Sequence, residues 1–292
     1  MKLFNENAPW YKGNLHTHTT VSDGFLSVDD CIAAYKAGGY DFLSITDHRK
    51  YFPGRTEEDF IVLPGEEFMF EDFEKWTAYH IIGIGLSSHF ETDPSTPPQY
   101  VIDNIRQREG LVVMGHPFWS LMSHQEICEL NGLDATEAFS GISEAYSGRG
   151  NSTAYGDVLA TMGYPLLLLG VDDMHFHARD FMQAFIMLQT EEFTQEGIMR
   201  SLRGGRFYAS EGPQIKQIDI TGDTVTVDTS ELKSLFFLSN TWYNANRVVV
   251  SGDGAPLTHA QYTIVPQDRW LRIEGTDSNG KKFTTNYLPV NR

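Results

Sequence analysis

The 292-residue chain has few of the features that mark exported or membrane-spanning proteins. It has only two cysteines, Cys31 and Cys128, which lie far apart in helix-like segments, so we expect no disulfide framework. It has no apolar run long enough to span a bilayer, and residues 1–11 lack the apolar core of a signal peptide. The sequence therefore predicts a cytoplasmic protein that has no membrane partner.

Basic residues are also scarce. The chain has 22 Lys and Arg against 39 Asp and Glu, which gives a formal net charge of −17. A surface this acidic repels nucleic-acid backbones and anionic lipids, so we expect no nucleic acid as a general partner. The sequence also lacks a Gly-x-Ser-x-Gly nucleophile elbow and a Gly-x-x-x-x-Gly-Lys phosphate loop. These absences argue against the common sequence motifs for a covalent side-chain nucleophile and for a phosphate-binding loop.

Strand-like and helix-like segments alternate through the first 205 residues. Apolar runs that end in polar residues predict strands at 13–17, 41–46, 60–67, 77–85, 111–116, 135–140, 166–171 and 183–189. Helical patterns that end in glycine lie between many of them, at 27–38, 99–110, 125–132, 152–163 and 194–204. Repeated strand–helix units predict an α/β fold with a mostly parallel sheet, either open or closed into a barrel.

The pattern changes beyond about residue 213. Short strand-like runs separated by turn residues follow at 218–220, 224–227, 234–238, 247–251, 262–265 and 270–274. Such spacing is typical of a small antiparallel β-domain, most often a sandwich. We therefore predict a larger domain over residues 1–212 and a small β-sandwich-like domain over residues 213–292.

Metal-ligand residue types recur where the predicted strands end. His16 and His18 follow the first strand, and because they are two residues apart on an extended chain, both side chains point to one side. Asp23 comes shortly after them, in a Ser-Asp-Gly turn. The later strands end in, or begin with, further residues of the same types: Asp47-His48, Glu66-Glu67, His80, His116, Asp172-Asp173 and His175.

The carboxyl ends of parallel strands are the edge at which such folds build their sites. One strand-end histidine is more often hydrogen-bonded than metal-bound, but six of them with at least three carboxylates make coincidence a poor explanation. Imidazole and carboxylate together suit Zn²⁺, Mn²⁺ or Fe²⁺ better than Ca²⁺. Only one residue of each adjacent acidic pair should face the site. His89, His124, His177 and His259 lack the strand-end setting, and we expect them on the surface or behind the ligands.

Over residues 12–178, the order and context of these motifs resemble the PHP superfamily, named for polymerase and histidinol phosphatase. The resemblance rests on His16-Thr-His18, Asp23-Gly24, Thr46-Asp47-His48, Gly65-Glu-Glu67, His80 with Gly83, Gly115-His116-Pro117 and Asp173-Met-His175. It implies a distorted (β/α)7 barrel with two or three divalent ions, manganese, iron or zinc, in a multinuclear and most often trinuclear site.

Carried over by position, the resemblance implies three groups of ligands. The first ion would be held by His16, His18, Glu67 and Asp173. The second would share Glu67 and add His80 and His116, and the third would take Asp23, His48 and His175. Among these, the resemblance implies direct roles in catalysis for Glu67, Asp23, His48 and His175.

Three later segments, 171–175, 202–210 and 272–280, resemble a two-domain branch of stand-alone PHP hydrolases. Members of that branch are described as metal-dependent phosphoesterases, and relatives with the same layout cleave carbamate esters. The expected protein is thus a phosphoesterase that attacks a small phosphate ester with metal-bound hydroxide. Two alternatives stay open: hydrolysis of a carboxylic ester, carbamate or amide at the same site, and a non-catalytic module that binds a ligand.

Overall fold

The computed structural model describes residues 3–4, 8–72, 74, 76–93, 95–176, 178–252 and 255–290. The helices in these ranges are α1 (Val28–Ala37), α2 (Pro98–Gln107), α3 (His124–Glu129), α4 (Gly141–Ser147), α5 (Thr153–Thr161) and α6 (Gln195–Arg203). None of these six has the length and apolar character needed to cross a membrane.

The strands of the first 210 residues are β1 (Trp10–Asn14), β2 (Phe42–Ser44), β3 (Arg55–Thr56), β4 (Ile61–Leu63), β5 (Gly65–Asp72), β6 (Thr77–Ile84), β7 (Leu111–Met114), β8 (Ala135–Ser140), β9 (Leu167–Val171), β10 (Phe185–Gln189) and β11 (Phe207–Ser210). The later strands are β12 (Ile215–Thr221), β13 (Thr224–Leu232), β14 (Ser234–Ser239), β15 (Val248–Val250), β16 (Leu257–Thr263), β17 (Trp270–Thr276), β18 (Lys282–Thr285) and β19 (Leu288–Pro289). The fold is therefore mixed α/β, as the sequence predicts.

Five of the six helices coincide with helical patterns in the sequence. Helix α1 begins after Ser27, whose hydroxyl accepts a hydrogen bond from the backbone N–H of Asp30 and so caps the helix. Helix α4 was not predicted. Its seven residues follow β8 directly and end at Gly148 in a left-handed conformation, and so short a segment gives no clear helical period.

The strands form three sheets. An eleven-stranded sheet has the order β15-β14-β17-β18-β11-β10-β1-β2-β4-β3, with β19 paired to β17; a five-stranded sheet has the order β5-β6-β7-β8-β9; and β12-β13-β16 form the third. Strands β1, β2 and β4 are parallel, as are β7, β8 and β9. Strand β6 is antiparallel to β5, because only residues 73–76 connect the two and no crossover helix fits there. It is also antiparallel to β7, although α2 lies between them in the chain. The sheets are thus more mixed than expected.

The ladders do not close into a barrel in the described part of the chain. A closed barrel would require β9 to pair with β1. Strand β10 pairs with that edge of β1 instead. The two large sheets meet instead through two isolated parallel bridges, Thr17 with Met174 and His48 with Glu67. Both bridges lie where strands end, so they bring the strand-end motifs of the two sheets together.

A hydrophobic core fills the space between the two large sheets. Its buried members include Leu15, Phe42, Leu63, Ile82 and Val171. Phe42 crosses so close to Gly13 that a Cβ on Gly13 would lie 2.1 Å from its ring. Glycine is therefore required at this position of β1, three residues before His16, the first predicted ligand.

The C-terminal strands enclose a second core. Strands β12, β13 and β16 are antiparallel and share a buried cluster with β14 and β17, which includes Val227, Phe237, Ile273 and Phe283. Strand β18 pairs with β11, so this region is hydrogen-bonded to the eleven-stranded sheet. A domain boundary near residue 213 stays a prediction.

Candidate metal centre

The first two predicted ligands follow β1 on an extended segment tied down by Asn14. The Asn14 amide donates to the His16 carbonyl at 2.9 Å and to Thr17 Oγ1 at 2.6 Å, and its oxygen accepts from Asp172 N–H at 2.8 Å. This brings the His16 and His18 Nε2 atoms to 3.1 Å from each other.

Two buried carboxylates lie between these imidazoles and the opposite sheet. Glu67 Oε2 is 3.2 Å from His16 Nε2, 3.1 Å from His18 Nε2 and 3.0 Å from His48 Nδ1. Asp173 Oδ1 is 3.2 Å from the Nε2 atoms of both His16 and His18. The other Glu67 oxygen is 2.8 Å from His80 Nδ1 and 3.9 Å from His116 Nε2.

Three of these buried atoms are close to several polar atoms without making a hydrogen bond. Within the described ranges, Glu67 Oε2, Asp173 Oδ1 and His48 Nδ1 have no hydrogen-bond partner. Buried polar groups without a partner are costly, and carboxylates and neutral imidazoles present lone pairs. The donor set and its spacing therefore fit divalent cations held between these side chains.

The geometry groups eight of the nine predicted ligands into three sets whose ligand atoms lie within 4.8 Å of one another. The sets are His18, Asp23, His48 and His175; His16, Glu67 and His116; and His16, His18 and Asp173. His80 falls in none of the three, although it touches Glu67. All nine predicted ligands therefore lie in one cluster.

The residues next to the ligands are directed elsewhere. Glu66 turns to His89, 3.1 Å from its Nδ1, and burial raises the pKa of Glu66 to about 7. Asp172 accepts from Tyr35 Oη at 2.8 Å and from the backbone N–H groups of 182–184. Of each acidic pair, only Glu67 and Asp173 contact the histidine cluster.

The other histidines named from the sequence, and two arginines close to the motifs in sequence, lie apart from the cluster. Arg49 donates to Thr92 Oγ1 and to the Met69 carbonyl, and Arg179 lines a separate small cavity of about 80 Å³. His124 stacks on Tyr155, and exposed His259 pairs with Asp228 at 2.7 Å. His177 lies outside the described residues.

Glu137 is a member of the cluster that the sequence analysis missed. Its side chain is 1% exposed; Oε1 lies 2.6 Å from His16 Nδ1, and Oε2 accepts from the backbone N–H of His116 at 2.9 Å. A carboxylate behind a ligand histidine fixes the tautomer and orientation of the ring. The sequence signal for it was weak: Glu137 is a lone acidic residue in the middle of the apolar run that forms β8, and β8 ends in no predicted ligand.

Asp47 and Asp180 were also missed as organising residues. Asp47 accepts from the N–H and hydroxyl of Thr19 and from the Ser22 hydroxyl, and so shapes the loop that carries Asp23. Asp180 accepts from the backbone N–H groups of His175 and Phe176 at 2.7 and 2.6 Å. Both carboxylates hold ligand-bearing loops in place from behind.

The backbone has an uncommon conformation at two predicted ligands. Asp173 has φ of 52° and His116 has φ of 20°, positive values that residues other than glycine rarely adopt. Such strain persists only where the surroundings impose it, and it clusters at functional sites.

The electrostatics show that the cluster attracts positive charge. Burial opposes a charge on His18, but Asp173 and Glu67 outweigh it and raise the pKa of His18 to about 9. His16 behaves alike: burial is outweighed by the carboxylates, and its pKa lies well above the usual value. Burial and the nearby His80 lower the pKa of His116 to about 3. The carboxylates thus attract cations to this cluster, and protons on His16 and His18 neutralise only part of their negative charge.

A cavity of about 340 Å³ opens over the cluster. Its floor is formed by the ligands. Its walls are formed by Met69, Glu71, Ala78, Trp119, Ile142, Ser143, Tyr146 and Phe176. None of the described residues that line it is Lys or Arg.

No protein-family model matches the chain, and no curated protein matches it. One solved structure matches it along nearly its whole length: a two-domain protein from Bacteroides vulgatus that contains a predicted PHP-like metal-dependent phosphoesterase. That match has a TM-score of 0.52 and 16% identity, and it covers 96% of each chain. The chain therefore has the fold of a two-domain PHP-type protein, which confirms the resemblance at the level of the fold.

Two further solved structures match part of the chain. A proposed metal-dependent phosphoesterase from Bifidobacterium adolescentis matches over 58% of this chain and 89% of its own chain, with 16% identity and a TM-score of 0.41. An amidohydrolase from Chromobacterium violaceum matches over 57% of this chain and 89% of its own chain, with 16% identity and a TM-score of 0.40. Both scores are below 0.5, so these two matches carry no weight for the fold.

Proposed function

We propose that the protein is a metal-dependent hydrolase, and specifically a phosphoesterase, whose centre is the cluster around Glu67 and Asp173. One observation carries this proposal: side chains from both large sheets converge on buried carboxylate oxygens that have no hydrogen-bond partner among the described residues. The fold shared with a PHP-like phosphoesterase supports it.

We assign the ligands as the resemblance implies them. Glu67 would belong to two groups of ligands, because its Oε2 faces His16, His18 and His48 while its Oε1 faces His80. Asp173 completes the first group, and Asp23 joins His48 and His175 in the third, at 3.5 and 3.6 Å. Asp23 is half exposed at the cavity, so it is the ligand nearest to an entering substrate.

When bound, divalent ions supply Lewis acidity and lower the pKa of water, so that hydroxide forms near neutral pH. The side chains orient that chemistry. Glu137 holds His16 with its Nε2 lone pair toward Glu67 and Asp173, and Asp180 fixes the loop of His175. The burial of the cluster keeps bulk water from screening these contacts.

The finer architecture is also a proposal. We propose that β1, β2 and β5–β9 are the strands of a distorted barrel that stays incompletely closed, supported by the two bridges between the sheets. We also propose residues 213–292 as a separate β-domain, supported by their own hydrophobic core.

Hydrolysis of a carboxylic ester, carbamate or amide is the second candidate. It is favoured by the lack of Lys and Arg among the described residues that line the cavity, because phosphate sites commonly add such a cation. Metal ions can carry the phosphate charge without that help, so phosphate esters stay first.

The deciding experiment uses two adjacent glutamates. Glu67→Gln should lose more than one equivalent of bound transition metal and lower kcat/KM by more than about 100-fold, because a ligand contributes more than the partners behind it. Glu66→Gln is the matched control, since Glu66 is equally buried but faces His89. Metal content by elemental analysis and hydrolysis of a phosphate- and carboxylate-ester panel are measured on both. If native protein reconstituted with Mn²⁺, Fe²⁺ or Zn²⁺ binds none of them, the proposal fails.

A further inference from the structure

Three large aromatic side chains are exposed around the mouth of the cavity over the ligand cluster. Trp119, Tyr146 and Phe176 are 41%, 53% and 52% exposed, and all three line the same cavity. Exposed aromatic residues that converge on one cavity cost stability unless they contact a ligand, and they favour planar apolar groups.

Trp119 forms the wall on one side. Its ring is perpendicular to those of His116 and His80, with centroids 4.9 and 5.7 Å apart. Ser120, the next residue, accepts from the backbone N–H of Ala78 and donates its own N–H to the His116 carbonyl. The indole is therefore held at a fixed position beside the second group of ligands.

Tyr146 and Phe176 form the wall beside the third group of ligands. Tyr146 lies on α4 at the i+3 and i+4 positions from Ser143 and Ile142, and all three line the cavity, so one helix face is turned toward it. Phe176 is held by Asp180, packs against Tyr146 with centroids 5.6 Å apart, and lies 5.9 Å from the His175 ring.

We propose that this site selects esters whose organic group is a flat aromatic ring, bound against Trp119 and the Tyr146–Phe176 pair while the ester group lies over the ligands. The inference rests on the proposed function for the position of the ester group. The cavity of about 340 Å³ has room for one ring and an ester group, and its lining has no described Lys or Arg that would bind a second anionic group. The substrate therefore carries no anionic group in addition to the ester group itself.

The test compares two groups of similar size and different shape. Binding of benzylphosphonate and cyclohexylmethylphosphonate to the Mn²⁺-loaded full chain is measured by calorimetry, so that no turnover is needed. Contact with aromatic side chains should make benzylphosphonate bind about three- to tenfold more tightly. Trp119→Leu keeps an apolar wall without the ring and should bring this ratio close to one. Tyr146→Leu is the second variant should Trp119→Leu fail to fold.

Trp242→Leu is the matched control, because Trp242 is 97% exposed and lies outside the cavity lining. It should leave the ratio unchanged. The inference is overturned if the native protein binds the two phosphonates with equal affinity or does not bind benzylphosphonate. It is also overturned if phosphocholine binds more tightly than benzylphosphonate. Hydrolysis of benzyl and cyclohexylmethyl esters of phosphate and acetate tests the proposed function separately. If neither the phosphate esters nor the acetate esters are hydrolysed, the proposed function is wrong, while the ratio of the two phosphonate affinities still decides the ring preference.

Discussion

The protein contains two buried clusters of charged side chains, and they are built in opposite ways. In the first, Glu67, Asp173 and Glu137 meet imidazoles, and polar atoms remain without hydrogen-bond partners. In the second, the guanidinium of Arg272 makes a two-point contact with Asp157 at 2.8 and 2.7 Å and also donates to Glu274 and Thr284.

The second cluster is complete in itself. Two cations, Arg272 and Lys282, face two carboxylates, Asp157 and Glu274, and none of the four has an unpartnered buried side-chain atom. The first cluster has carboxylates and no Lys or Arg in contact with them among the described ion pairs. A buried charge cluster that its own side chains satisfy is structural, whereas one that lacks its counter-charge is suited to binding ions.

The largest expected effect tests the structural cluster. Arg272→Ala should lower the free energy of unfolding by about 3 kcal/mol, because it removes the buried guanidinium that pairs half-buried Asp157 with Glu274 and leaves only Tyr287 and Lys282 as their partners. Metal content per folded protein should not change, since Arg272 touches no ligand. Chemical denaturation and elemental analysis measure the two effects.

Arg269→Ala is the matched control for this change, because it removes the same side chain from an exposed position nearby. We expect it to change stability by less than about 0.5 kcal/mol. If Arg272→Ala removed the metal from folded protein, the two clusters would not be independent.

These clusters also show what the sequence could and could not predict. His16, His18, Glu67 and Asp173 were predictable as a group because the ends of parallel strands meet at one edge, and a two-residue spacing turns both histidines to the same side. The choice of Glu67 over Glu66 depended on the Gly65-Glu-Glu67 motif, because the alternation of side chains along a strand does not show which face carries the site.

Other features needed the structure because distant contacts decide them. Glu137 stands 121 positions from His16, and Arg272 stands 115 positions from Asp157, so no local pattern links either pair. Barrel closure was equally out of reach, because it depends on whether β9 or β10 takes the edge of β1. Local periodicity predicts elements, whereas the pairing of edges depends on the whole chain.

The next prediction concerns the residue behind the first cluster. Glu137→Gln should weaken metal binding by about 10- to 100-fold, because the amide keeps an acceptor for His16 Nδ1 but loses the charge that makes the ring a better ligand. The stability of the metal-free chain should change less, which separates a positioning role from a structural one. Metal affinity is measured by competition with a chelating dye.

Glu144→Gln is the control, since Glu144 lies on α4, accepts a hydrogen bond from the backbone N–H of Gly150 and lines a different cavity from the one over the ligands. It should leave metal affinity unchanged. Equal affinities for native protein and Glu137→Gln would remove Glu137 from the site.

The smallest effect is a pH dependence that should have opposite signs for stability and for metal binding. In the metal-free protein, the pKa of His18 is about 9, above its unfolded value near 6.5. A raised pKa gives stability that is fully present below pH 6.5 and is lost as the pH rises through 9. Metal binding requires neutral His18, so its apparent affinity should rise over the same window.

Two measurements make this sign reversal testable. Unfolding free energies of the metal-free chain at pH 6.5, 7.5 and 8.5 should fall, while calorimetry in two buffers should show protons released on Mn²⁺ binding, fewer as the pH approaches 9. His116, whose pKa is about 3, is already neutral and releases none. The Arg272 cluster is the internal reference for these pH effects. Its carboxylates hold the pKa of Arg272 above the usual value despite burial, so Arg272 keeps its charge throughout this pH window. If metal-free stability rose with pH, or no proton left on binding, the carboxylates around His18 would not be collecting positive charge.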